Sequence, residues 1–401
     1  VTRCRVCRGG DVGDLLDCGP QPLSNRYLHR RDESEYRHPL VAGICRECGV
    51  VQLTEPPPAA ELAPRFDWIS YREPEDHLDS LVETMVAFAG LDGDAVVGGV
   101  SYKDDTTLRR FRERGFGRTW RIDTRRHLGL ASERAEIETV QDRLDPARAA
   151  AAITGGLPRA DILLARHILE HAQRTVEFQA ALRALVAPGG LVAVEVPDAG
   201  RSLDHRDYTT LWEEHVLYCT EATLPSVMRA GGFVTETLIR FPYASEDSLV
   251  LLARRVEEPA EDSPSDALEG ELDRWQGFAG GFGDTRRRSL AALSAETGGI
   301  ALLGAGHLAA TWINLMGAAP LISFVADDDP NKQGLLMPGS RLPIRPSAAL
   351  YGGEVGLCLM AVSSGLEARV LERHAPFAAR GGRFASIFPQ SPRSLLSMEV
   401  R

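Results

Sequence analysis

No apolar run in this chain reaches 18 residues, so no membrane-spanning helix is expected. The opening stretch VTRCRVCRGG lacks the apolar block that a secretory signal requires. Positive charge is also in short supply: 45 Lys and Arg stand against 56 Asp and Glu, for a net charge of -11. A surface of that sign repels nucleic acid and anionic membranes. The short basic runs RRFRERGFGR (109–118) and TRRRS (285–289) read as solvated faces. Seven cysteines, an odd number in a chain read as cytoplasmic, argue against a disulfide framework. A soluble, cytoplasmic protein of two to four domains is the expectation from 401 residues with 44% hydrophobic content.

Four of the cysteines form two pairs, Cys4 and Cys7 in CRVC and Cys45 and Cys48 in CREC. Each pair can set two thiolates on one tight turn, and the chain between can return to close a four-thiolate zinc site. So short a segment buries little core and gains folding energy from a metal. With four soft ligands and no open position, the zinc is structural. Cys18 reads as a small buried residue. The prolines of TEPPPAAELAP (54–64) mark a linker, giving a first domain over 1–62.

From 63 to 254 the pattern alternates between helix and strand, as in a doubly wound parallel sheet whose ligands collect beyond the strand carboxyl ends. DAVVGGV (94–100), TWRID (119–123) and LVAVEVPDA (191–199) are strands, and ADILLARHILEH (160–171) is a strand followed by a turn and helix; DHLDSLVETMVAFAGL (76–91) and TTLRRFRERG (106–115) are helices, as is VEFQAALRALVAPGG (176–190), stopped by Pro-Gly-Gly. Residues 255–401 begin with an acidic, proline-bearing junction in which Ser263-Pro264 starts a long helix, expected to break near GFAGGFGD. A second Rossmann-like unit follows. Its GAGHLA turn (304–309) suits either anion binding or a plain strand-to-helix turn.

The stretch LWEEHVLYC (211–219) places Glu213 and Glu214 before His215, with Trp212 and Tyr218 nearby. It reads either as a helix start with solvated acids or as a prepared base. If helical, Tyr218 shares a face with His215. Glu195 and Asp198 lie at the mouth of a parallel strand, as substrate contacts or as structural acids.

The chain resembles the S-adenosylmethionine-dependent C-methyltransferases that act on nucleotide-linked ketodeoxysugars in natural-product (antibiotic) pathways. The likeness rests on the cysteine pairs with LLDCGPQPLSNRYL and GICRECGVVQL, then GAGHLAATWINLMG, DDDPNKQG and MPGSRLPI, in that order along nearly the whole length. It implies a zinc-binding domain, a class I methyltransferase-like domain and a C-terminal Rossmann-like domain. It implies His215 as the base, with Glu214, Tyr218 and Trp212 beside it, the last standing where a tyrosine is usual. His77 matches the histidine that closes an aromatic segment, FDWISYREPEDH, which fits loosely. Adenosylmethionine is expected on Gly98, Gly99, Ser101, Asp123, Ala165 and Arg166, with Asp123 taking the ribose hydroxyls. The loop GGVSYKD (98–104) departs from the family pattern E-I-G-S-N-D-G: Gly98 replaces the acid, Val100 a glycine and Asp104 the last glycine.

The implied reaction removes a proton beside a ketone to form an enolate, which then takes a methyl group. A retained base behind an altered cofactor loop also fits an epimerase or isomerase that needs no methyl donor. A noncatalytic partner protein would discard both. The implied partner is a small molecule, and nothing in the sequence fixes the oligomeric state.

Overall fold

The computed structural model describes residues 2–69, 73–131, 136–244, 246–257 and 266–397. Ser263-Pro264, read as a helix start, and Tyr71 of the aromatic segment lie outside them.

The N-terminal domain is a small antiparallel sheet. Strand β1 (Val12–Pro22) pairs with β2 (Arg37–Cys45), and β2 with β3 (Val51–Leu53). The central domain follows with β4 (Val96–Gly99), β5 (Arg118–Arg121), β6 (Ala160–Arg166) and β7 (Val186–Pro197). These four are mutually parallel and branched-rich because helices cover both faces of the sheet. Helix Leu78–Ala89 packs Leu78, Leu81, Val82 and Met85 inward and ends at Gly90, whose φ of 59° is the left-handed conformation that glycine adopts without strain.

Next comes a two-residue strand, β8 (Leu217–Tyr218), which leaves the central domain and pairs with β3 of the zinc-type domain. Strands β9 (Phe233–Phe241) and β10 (Ser248–Arg255) then complete the central sheet in the order β5-β4-β6-β7-β10-β9, both antiparallel to their neighbours. The expected all-parallel sheet is therefore mixed at one side. The strand order reverses between β4 and β6, the place where an open α/β sheet leaves a crevice at its carboxyl edge.

Helix Asp266–Ser294 runs unbroken for 29 residues, against the expected break at GFAGGFGD. A Cβ at Gly281 would lie 3.0 Å from the Tyr208 hydroxyl, so that glycine admits a neighbour rather than ending the helix. Tyr208 donates to the Phe278 carbonyl at 2.7 Å. Trp275 on this helix is fully buried against Tyr218 and Phe278. Trp275→Ala is expected to cost about 3–5 kcal/mol of stability, read from the denaturant midpoint.

The C-terminal domain is a five-stranded parallel sheet in the order β13-β12-β11-β14-β15. Its strands are β11 (Gly299–Leu303), β12 (Phe324–Ala326), β13 (Ile344–Arg345), β14 (Val355–Met360) and β15 (Arg383–Ser386). Among the described residues, no helix is long and apolar enough to cross a membrane.

Candidate active site and zinc centre

Cys4, Cys7, Cys45 and Cys48 converge at one end of the first sheet, with their sulfurs all within 4.8 Å of one another. The Cys4–Cys48 and Cys7–Cys45 sulfur pairs are each 3.6 Å apart. A tetrahedral zinc with Zn–S of about 2.3 Å has sulfur–sulfur edges of about 3.8 Å, so the donor set fits zinc with little movement. Cys18 is half-buried against the main core and away from this group.

At the carboxyl edge of the central sheet lies a cavity of about 570 Å³. The central domain supplies most of its wall, and His307, Leu308, Ser363 and Phe388 close it from the C-terminal domain. Trp212, Glu214 and His215 line it, so three of the sequence-predicted residues meet in one place. LWEEHVLYC is not a helix, however. It is a turn followed by β8, because Val216 donates to the Glu170 carbonyl at 2.7 Å and accepts from Leu53 N–H at 3.0 Å. Helical spacing therefore fails for Tyr218: its hydroxyl donates to the Trp212 carbonyl at 3.1 Å, and the residue packs behind the cavity. Tyr218 holds the turn shut.

The two acids of this turn are gripped by the zinc domain. The Ser24 backbone N–H and hydroxyl both donate to Glu213, the hydroxyl at 3.1 Å, while burial pushes the Glu213 carboxyl up to about 7. Asn25 Nδ2 donates to Glu214 at 2.8 Å. Burial, then the neighbouring carboxylates of Glu138, Glu213 and Glu136, hold Glu214 well above the usual carboxyl range. Glu214 pairs with Asn25 rather than with His215. Asn25→Ala removes that donor, so turnover should fall at least tenfold while zinc content is unchanged, checked by metal analysis beside the rate assay.

His215 is half-buried, with its ring 4.8 Å from the ring of His171 and 4.8 Å from that of Trp212. Burial and the nearby histidines hold its pKa well below the ordinary imidazole value, so it is neutral at neutral pH. Trp212 stacks on His307 at 4.4 Å and 25°, which brings the GAGHLA turn to the cavity. In the same turn, Ala305 N–H donates to the Asp327 carboxylate at 2.8 Å.

Sequence reasoning missed His171 and Glu138. His171 shares a 2.6 Å hydrogen bond through Nδ1 with Glu138; burial alone would lower its pKa, but this carboxylate raises it. The LARHILEH stretch, at a strand carboxyl end, was the available signal. His167 in that stretch has a φ of 46°, a left-handed value that costs a histidine energy. Its N–H donates to the Glu195 carbonyl at 2.8 Å, and its ring sits 3.2 Å from the Glu195 carboxylate.

Glu195, a candidate substrate contact, is instead buried between Arg166, His167 and Ser248. Asp198 caps the helix Ala199–His205 through Gly200 N–H at 2.8 Å. His77 is 3.1 Å from Glu195 and belongs to the same charge cluster.

The loop 98–104 explains its own departures. A Cβ at Gly98 would fall 2.5 Å from the Trp120 ring, so an acid has no room there. Asp104 is buried and accepts from Val100 N–H at 2.8 Å, Ser101 N–H at 2.9 Å and Arg166 N–H at 3.0 Å. Burial pushes its carboxyl up to about 6 in spite of those donors. The backbone donors of Val100 and Ser101 are thus taken by the chain's own carboxylate. Gly98, Gly99, Ser101, Ala165 and Arg166 are buried, and Asp123 is exposed at the end of β5 with Oδ1 held by Arg125 and Arg126 N–H. These residues do not form the cavity wall. The loop instead offers Tyr102 and Lys103 to the cavity, and Lys103 Nζ is paired with Glu73 at 2.6 Å.

Two domain families match this chain: a zinc-binding domain of methyltransferases over residues 4–62, and the C-methyltransferase C-terminal domain over 255–389. The two matches cover the N-terminal domain and most of the C-terminal part, and they flank the central α/β domain. It is 28% identical to the C-methyltransferase NovU of Streptomyces niveus over 416 aligned residues, covering 97% of this chain and 96% of that protein. The solved structures it resembles are more distant. A 1,6-didemethyltoxoflavin-N1-methyltransferase from Burkholderia thailandensis, with S-adenosylhomocysteine bound, is 19% identical with a TM-score of 0.32, covering 46% of this chain and 80% of that one. A SAM-dependent methyltransferase from Aquifex aeolicus is 12% identical with a TM-score of 0.30, covering 46% and 94%.

Proposed function

We propose that this C-methyltransferase acts on a nucleotide-linked ketodeoxysugar and forms its nucleophile by taking an α-proton onto His215. The observation that carries this reading is a neutral imidazole opening onto a 570 Å³ cavity at the sheet's carboxyl edge. A neutral imidazole accepts a proton, and a ketone beside the carbon makes that proton acidic. His171, oriented by Glu138 and with its ring 4.8 Å from that of His215, donates to the developing enolate oxygen in this reading. Trp212 and His307 form a flat wall against which a sugar ring packs.

S-Adenosyl-L-methionine, when bound, supplies an electrophilic methyl group. The cavity fits such a ligand through its acid-rich wall, which suits a sulfonium and an ammonium. Tyr102, Lys103, Glu136, Ile137 and Glu138 are the residues that would hold it. Lys103 is the cation for its carboxylate once Glu73 yields.

A second reading, enolisation and reprotonation without methyl transfer, is favoured by one observation: Asp104 fills the donors of the loop that a methyl donor would use. Incubation with methyl-labelled adenosylmethionine and a nucleotide-linked ketodeoxysugar separates the two. Label in the sugar at carbon supports the first reading; proton exchange with no label transfer supports the second, and neither event removes both.

A further inference from the structure

Glu170 has no role in the reaction above, yet its carboxyl group lines the cavity. It is 2% exposed, and neither carboxylate oxygen has a hydrogen-bond partner among the described residues. Its Oε1 lies 3.5 Å from Nδ1 of the His167 ring. Burying a carboxyl group without hydrogen bonds is unfavourable until a partner arrives. One donor atom each from Glu170, His171 and His215 lies within 4.8 Å of the other two. All three residues line the cavity.

We infer that Glu170, His171 and His215 form a second metal site, for a divalent transition-metal ion, separate from the four cysteines. Two imidazoles and one carboxylate suit zinc, cobalt, nickel or ferrous iron. Neighbouring donors around such an ion stand about 3.0–3.4 Å apart at bonds of about 2.1 Å, so the three side chains close by roughly 1 Å to reach it. His171 is already oriented in the manner of a metal-bound histidine: Glu138 holds Nδ1 at 2.6 Å and leaves Nε2 as the other ring donor. An ammonium group on a ligand would satisfy Glu170 but would leave the convergence of two ring nitrogens unused. The ion takes the lone pair of His215, so the loaded enzyme cannot draw a proton from its acceptor. That consequence rests on the reading of His215 as the base; the site itself does not.

The test is an optical titration of the full-length, zinc-loaded protein with cobalt(II). One further equivalent is expected, with visible d–d bands and without the near-ultraviolet thiolate-to-cobalt band that displacement at the cysteines would give. Glu170→Gln, the same shape without the charge, should weaken that equivalent at least tenfold while its melting temperature and zinc content report an intact fold. Glu170→Asp, which keeps the charge, should restore part of the affinity. Cobalt should inhibit proton exchange competitively with the ketosugar, and Glu170→Gln should relieve the inhibition. Absence of a second equivalent, or equal affinity in Glu170→Gln, overturns the site. Binding without inhibition keeps the site and removes His215 as the base.

Discussion

Replacing Cys45 with serine, or stripping the zinc with a chelator, should abolish turnover even though no cysteine of that centre touches the cavity. Metal binding in zinc-finger peptides contributes about 10–16 kcal/mol at neutral pH, and in a domain of this size that energy is folding energy. The route to the active site is short. Strand β3 of the zinc domain pairs with β8, register Val51 to Tyr218 and Gln52 to Leu217, directly after His215. Ser24 and Asn25 of the same domain hold Glu213 and Glu214. Loss of the metal releases all three restraints, and a loss of at least a hundredfold in rate is expected. Hydrogen exchange at Leu53, whose N–H bonds Val216 at 3.0 Å, should rise in parallel. Full turnover in metal-free protein would show that the two domains are independent.

His215→Asn should lower turnover by about 10²–10⁴, the usual worth of a positioned base. The pH profile gives a second handle. Burial holds the His215 pKa below the ordinary 6.5, so the base remains unprotonated through neutrality. Activity that depends on it is present above its folded pKa and lost as pH falls through that value. The acid limb of kcat/KM should therefore lie below 6.5. A limb at or above 6.5 that survives in His215→Asn would assign the titration to another group.

Much of this was legible in the chain. The helices follow the 3.6 period, and β4, β6 and the second half of β7 stand out as short continuous apolar runs buried on both faces, so these elements were readable. The cysteine spacing was enough to expect the zinc centre. Strand β8 was not legible: two residues carry no period, and their pairing partner is more than 160 positions away in sequence. For the same reason Asn25 and Glu214, and Glu138 and His171, could not be matched, since each pair is joined only by the folded chain. The helix Asp266–Ser294 was misread at its glycines: Gly281 packs closely against Arg206 and Tyr208, while Gly277, Gly280 and Gly283 face open space and the helix runs through them. At loop 98–104 the departures were visible, but their reason was not. Trp120 and Asp104 occupy the space and the donors that the pattern would leave open.

The central claim is that His215 removes a proton from the carbon beside a ketone. The most direct measurement is mass spectrometry of a nucleotide-linked ketodeoxysugar incubated with enzyme in deuterated water, with no methyl donor present. The account predicts deuterium at that carbon with the wild-type chain and none above background with His215→Asn. Equal incorporation by both proteins, or none by either, would contradict it.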